Sequence, residues 1–172
     1  MPNTKNTELL LFLGQWVFLV LLPPCFASAA CHQVDHEALL CFSLAFKVPS
    51  PPPLNWSASV DCCSWEGISC RQDDGHQRVV GLWLPGRGLT GLLPSDLFSS
   101  LSNLQVLDLS SNNFSGNIPD QISNLTNLEK LNLSHNHLTG QIPGSFQSLH
   151  LLSSFSVHTM IFRDLYHPES SF

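Results

Sequence analysis

The sequence predicts an α/β repeat fold, a short stack of coils behind an N-terminal unit made of one helix and one hairpin. Three observations predict it. Leucines 101, 125 and 149 recur at a spacing of 24, each inside a frame that repeats its neighbours. Leu-x-Leu steps inside that frame have the two-residue period of a strand. A cysteine-rich stretch with a helical pattern and a turn signal precedes the first frame.

Composition narrows the function classes. The chain has 172 residues, 43% hydrophobic and 12% charged, with a net charge of −6 and only seven Lys plus Arg. An acidic chain without a basic run offers no footprint for a phosphate backbone, so nucleic acid is not expected as a partner. The length is that of one domain.

Residues 1–30 read as a secretory signal. Lys5 precedes the apolar stretch from Leu9 to Leu22, Pro23 and Pro24 end it, and Ala27, Ser28, Ala29 and Ala30 offer small residues for cleavage after Ala29 or Ala30. Fourteen helical residues would cover only about 21 Å of a hydrocarbon core of about 30 Å. No later stretch approaches a membrane span, so the expected mature chain is secreted and carries no anchor unless the signal is retained.

The mature chain would hold Cys31, Cys41, Cys62, Cys63 and Cys70. In an oxidising compartment such cysteines pair. Pairing of Cys62 with Cys63 is disfavoured because adjacent Cα atoms sit about 3.8 Å apart, inside the lower limit for disulfides. Two pairings of Cys31, Cys62, Cys63 and Cys70 therefore remain open. Cys41 falls inside the predicted helix and reads as a buried, unpaired thiol, with an intermolecular disulfide as the sharper alternative.

The helix is expected over residues 36–47, with Asp35 as its cap, Glu37 in its first turn and Leu39, Phe42 and Phe46 at helical spacing before Pro49. Ser50 to Asp61 is Pro-rich and irregular. Ile68 to Arg71 and Gln77 to Leu82 are expected as strands joined across Asp74-Gly75.

From there the repeat dominates. Leu104-x-x-Leu107-x-Leu109-x-x-Asn112-x-Phe114-x-Gly116-x-Ile118-Pro119 returns as Leu128-x-x-Leu131-x-Leu133-x-x-Asn136-x-Leu138-x-Gly140-x-Ile142-Pro143. An irregular copy comes first, through Leu82, Leu84, Leu89, Gly91, Leu93 and Pro94, with Arg87 at the asparagine position. A partial copy starts at Leu149 and carries Met160 there. The leucines line a core that one coil cannot close alone, so coils must stack. Asn112 and Asn136 are structural: an amide donates and accepts at once, which suits backbone groups left without ladder partners in a bend. Glycine permits the bend, and the prolines are expected to close strand edges. The organisation is then 1–30 signal, 31–80 cap, 81–157 repeats and 158–172 a divergent tail.

These motifs resemble the plant-type leucine-rich repeat, L-x-x-L-x-x-L-x-L-x-x-N-x-L-x-G-x-I-P. Asp35-His-Glu-Ala-Leu-Leu, Trp56 and Asp61-Cys-Cys-Ser-Trp-Glu-Gly-Ile-Ser-Cys70 resemble the N-terminal cap of the same proteins. The cap wording and Leu149 to Val157 look most like plant receptor-like kinases and receptor-like proteins of the type that perceives tyrosine-sulfated peptides. The resemblance implies a short right-handed solenoid with a disulfide-linked helix-plus-hairpin cap, Cys31 pairing with Cys62 and Cys63 with Cys70. The segment after Val157 departs from the family, showing no closing repeat, membrane helix or kinase, and reads as the end of a shortened gene product.

The outward strand positions Trp83, Asp108, Asn132 and Ser156, with Val106 and Lys130 beside them, are the expected contact site, since in this family the concave face usually binds. The expected partner is a peptide or protein ligand, with a receptor kinase or co-receptor beside it. Sulfate specificity is not carried over, because only Lys130 and Arg87 could meet a sulfate. Sequons at Asn55, Asn113, Asn124 and Asn132 offer glycan acceptors, the last on the contact face. The pairs His32/His36 and His135/His137 lack zinc-site spacing, and neither a nucleophile elbow nor a phosphate loop occurs, so no metal, cofactor or catalytic residue is expected. The function read from the sequence is extracellular binding without catalysis. A secreted protein like the polygalacturonase inhibitors, or a truncated product without stable function, are the alternatives.

Overall fold

The computed structural model describes residues 31–45, 54–73 and 75–157. The signal segment, residues 46 and 47 of the expected helix, Asp74 of the turn and the tail with Met160 lie outside the described residues. In chain order the elements are α1 (Gln33–Ala45), a short 3-10 turn η1 (Cys62–Ser64), β1 (Ile68–Asp73), β2 (His76–Trp83), β3 (Thr90–Leu92) and α2 (Ser95–Ser100). Then follow β4 (Val106–Asp108), β5 (Asn113–Asn117), η2 (Asp120–Asn124), β6 (Lys130–Asn132), β7 (His137–Thr139), η3 (Gly144–Ser148) and β8 (Ser154–Ser156).

Two sheets share one core. The first has the order β1-β2-β4-β6-β8, antiparallel between β1 and β2 and parallel onward, and the second has the order β3-β5-β7, all parallel. Leu82, Leu107 and Leu131 stand in register and are buried between the sheets, with Phe114 and Leu138 entering from the second. Ile122 and, from α2, Leu97 and Phe98 close the core from the third side. The second sheet was not expected from the sequence. Its strands are three to five residues long, too short for alternation to register as a pattern.

The prolines act differently from the expectation. Pro94, Pro119 and Pro143 do not close strand edges; each stands at the N-cap of α2, η2 or η3. The ring fixes φ near its helical value, and the absent N–H is one that a helix start leaves unpaired. Gly116 and Gly140 do meet the expectation of tight bends, at φ 76 and 82.

Asn112 and Asn136 sew each coil to the one before it. The Asn112 amide donates to the carbonyls of Leu84 at 2.8 Å, Leu109 at 3.0 Å and Ser110 at 3.1 Å, and its oxygen accepts from the amides of Arg87 and Leu89, both at 3.0 Å. Asn136 donates to Leu109, Leu133 and Ser134 and accepts from Phe114. The residue before each asparagine turns left-handed to aim it, Ser111 at φ 56 and His135 at φ 54, with Gly86 at the same place in the first coil.

The cap is tied to the stack by a charge. α1 begins at Gln33, two residues before Asp35, so Asp35 is not its cap. Asp35 lies inside the first turn and is 1% exposed. Its carboxylate takes a two-pronged grip from Arg78, at 2.9 and 3.0 Å, and a third bond from the Val79 amide at 2.9 Å. A carboxylate buried to that degree must keep its partner, so Arg78→Ala should cost about 3–5 kcal/mol, the lower end applying because one-fifth of the Arg78 side chain meets solvent. Urea unfolding of this variant beside wild type checks it, and a loss under 1 kcal/mol would contradict the reading. Also in the cap, Trp56 stacks on Trp65 with ring centres 5.1 Å apart, and Phe42 of α1 joins them.

Cys31 is joined to Cys62 and Cys63 to Cys70, with Cα separations of 5.6 Å in both. Asp61 sets the geometry by accepting from the Cys31 amide at 3.1 Å and the Cys63 amide at 2.9 Å. Cys41 is unpaired among the described residues, and it is exposed, which corrects the expectation of a buried thiol. It sits two residues from buried Leu39, about 200° round the helix and so on the opposite side.

Candidate peptide-binding face

Strand pairing places the expected contact residues in two parallel rows on the solvent side of the five-stranded sheet. One row runs Trp83, Asp108, Asn132, Ser156 and the other Gly81, Val106, Lys130, Ser154. All six predicted residues therefore share one surface. Gly81 and Ser154 complete it and were missed by the sequence reading; the register that assigns Val106 and Lys130 to a row assigns them as well.

The rows differ in chemistry. Trp83 is 40% exposed and Lys130 is exposed, whereas Asp108, Asn132, Ser156 and Val106 are half-buried. The Asp108 carboxylate is fixed by its neighbours: Oδ1 accepts from the Ser110 amide at 2.9 Å and its hydroxyl at 2.6 Å, and Oδ2 accepts from Asn132 Nδ2 at 3.1 Å. Asn132 Oδ1 in turn accepts from the amide and hydroxyl of Ser134. Ser110 and Ser134 are buried supports for these two side chains, and the serine two residues beyond each outward position was the sequence signal for them. A groove of about 210 Å³ opens along this surface between Trp83, Asp108, Lys130 and Ser154.

The two basic candidates behave unlike each other. Arg87 is engaged with the Glu66 carboxylate. The Arg87 hydrogen bond, and then its charge, hold the Glu66 carboxyl below its ordinary value of 4.5. Lys130, by contrast, forms no ion pair among the described residues. Among the described residues, Lys130 is thus an uncommitted cation on the face.

Asn55, Asn113 and Asn124 are exposed, whereas Asn132 is half-buried with both ends of its amide in use. The cluster of potential metal ligands Cys31, Asp61, Cys62 and Cys63 is taken up by the two disulfides and the Asp61 cap. A larger cleft of about 340 Å³ lies between α1 and α2, with Glu37 and Asp96 at an otherwise largely apolar lining. It lies between the cap and the first coil and shares no lining residue with the groove along the rows.

Comparison with known proteins bears on the family and the fold. Residues 32–71 match the family model for the leucine rich repeat N-terminal domain and residues 87–138 that for the leucine rich repeat. Receptor-like protein 3 of Arabidopsis thaliana is 41% identical over 103 residues, which are 60% of this chain and 13% of that protein. Phytosulfokine receptor 1 of the same plant is 37% identical over 119 residues, covering 55% of this chain and 12% of the receptor. The chain therefore spans about an eighth of the length of these relatives. Among solved structures, the Arabidopsis receptor kinase HAESA, in complex with the peptide hormone IDA and the co-receptor SERK1, is 31% identical with a TM-score of 0.63, over 73% of this chain and 21% of that one.

Proposed function

The chain belongs to the leucine-rich-repeat family with the N-terminal domain of the plant receptor-like proteins and receptor kinases, and from this premise we propose that it binds an extended peptide outside the cell on the solvent face of its five-stranded sheet. The observation that carries the reading is the pair of in-register rows, with a fixed carboxylate, an open ammonium and an exposed indole beside one groove. A relative with the same fold holds a peptide hormone and a co-receptor, which supports a receptor kinase or co-receptor as second partner. The role is binding without catalysis. No helix among the described residues is long and apolar enough to cross a membrane, and the secreted form is the one we propose acts. Asn55, Asn113 and Asn124 serve as glycan acceptors while Asn132 stays bare to line the face; intact mass before and after glycosidase, with peptide mapping, tests this.

Panning a phage library of ten-residue peptides on the secreted, oxidised protein tests the binding reading. Selected peptides should bind in calorimetry and lose at least about tenfold in Val106→Glu, which fills the groove with a charge. Binders indifferent to that variant, or no binders, would overturn it. A pair of peptides differing only in tyrosine sulfation should bind alike, because Arg87 is already engaged and Lys130 is a single exposed ammonium; a clear sulfate preference would contradict this.

A further inference from the structure

We propose that this face reads a lysine of its ligand, the aliphatic stem lying on the Trp83 indole and the ammonium meeting Asp108 Oδ2. The inference rests on the peptide-binding reading and names what it selects. Trp83 and Asp108 are paired directly across β2 and β4. The indole does not stand out from the sheet: a Cβ built on Gly81 would overlap ring atoms Cζ3 and Cη2, so the ring leans back along β2 over the bare glycine, next to Val106. Glycine in a strand interior marks such a close approach. The ring and Val106 then form an apolar floor that ends at the Asp108 carboxylate. Two residues of strand, about 6.6 Å, separate the Gly81 pair from the Asp108 pair, a length that the four carbons of a lysine stem bridge.

The carboxylate itself selects the head group. A carboxylate offers about four acceptor positions. Two bonds from Ser110 fill Oδ1 and one from Asn132 occupies Oδ2, which leaves a single position on Oδ2. One position suits an ammonium, a point donor, and not the two-pronged fork of a guanidinium. The net charge of −6 attracts a cation from a distance. Lys130, on the adjacent strand and diagonal to Asp108, opposes it at close range.

The probes are N-acetyl-lysine methylamide and N-acetyl-norleucine methylamide, titrated by NMR into the secreted, oxidised chain. Lysine should bind about tenfold tighter than norleucine, from a cation over an indole plus one charged hydrogen bond, and should move the Trp83 indole and Ser110 amide signals. Asp108→Asn should erase that preference. Gly81→Ala, which displaces the ring and keeps the carboxylate, should reduce it severalfold, and Lys130→Gln should tighten lysine binding about threefold. If Asp108→Asn fails to fold, the other two variants decide. Equal binding of lysine and norleucine, or a preference that Asp108→Asn and Gly81→Ala leave unchanged, overturns the proposal. Ten-residue peptides carrying lysine, norleucine or glutamate at one position separate it from the wider reading. Equal tight binding of all three overturns the lysine site and leaves peptide binding standing. A lysine preference in the small probes, with none of the three peptides binding, leaves the site and overturns peptide binding. No response from any probe overturns both.

Discussion

Reduction of the secreted protein should abolish its cooperative thermal melt by circular dichroism. The two cross-links close loops with sequence separations of 31 and 7, and loop-closure entropy assigns them about 3.7 and about 2.5 kcal/mol. Together that is about 6 kcal/mol against a domain stability of about 5–15 kcal/mol. The effect is not confined to the cap. Cys31 begins the described chain and pairs with β2 through the bridge to Gln77, and β2 is the strand on which the first full coil lays β4. Freed from Cys62, the N-terminal end keeps the Gln77 bridge, the Asp61 contact and the Asp35 grip, none of them covalent. The melt should return on reoxidation. A transition unchanged by reductant would mean that the stacked coils carry the stability alone. A protein without a cooperative melt in either state would instead favour the reading of a product that lacks stable function.

The legible part of this molecule was whatever the repeat periodicity encodes. Leucines at fixed spacing gave the inward column Leu82, Leu107, Leu131, and the residues flanking them necessarily gave the outward rows, because a strand alternates. The roles that periodicity does not carry were missed. Asp35 reads locally as a helix cap, since nothing nearby reveals that Arg78, 43 residues away, will claim its carboxylate. Gly81 looks like an unremarked gap in a strand until the Trp83 ring is seen over it. The second sheet escaped because β3 buries no side chain and β5 and β7 bury one each, while its order depends on neighbours in other coils. The exposure of Cys41 was within reach, because its angle from Leu39 on the helix already places it outside.

Asn112→Ala should cost about 4–6 kcal/mol and leave the protein barely folded. The side chain makes five bonds in a buried bend between coils, so its removal is not the loss of one contact. Two of the groups it serves keep other partners: the Ser110 carbonyl accepts from the Gly86 amide at 2.9 Å, and the Leu109 carbonyl keeps the Asn136 amide. The amides of Arg87 and Leu89 and the Leu84 carbonyl lose the partner that Asn112 gave them. Orphaned groups of this kind cost about 1–3 kcal/mol each. Asn112→Asp separates donation from acceptance. It keeps an oxygen for the Arg87 and Leu89 amides but turns a second oxygen, not an NH2, toward three carbonyls, so it should fare no better than alanine at neutral pH. Urea unfolding of both variants, read beside a surface control such as Asn127→Ala, measures the difference. Losses below about 1 kcal/mol would show that water replaces the amide inside the bend, and the stacking of coils would then rest on leucine burial alone.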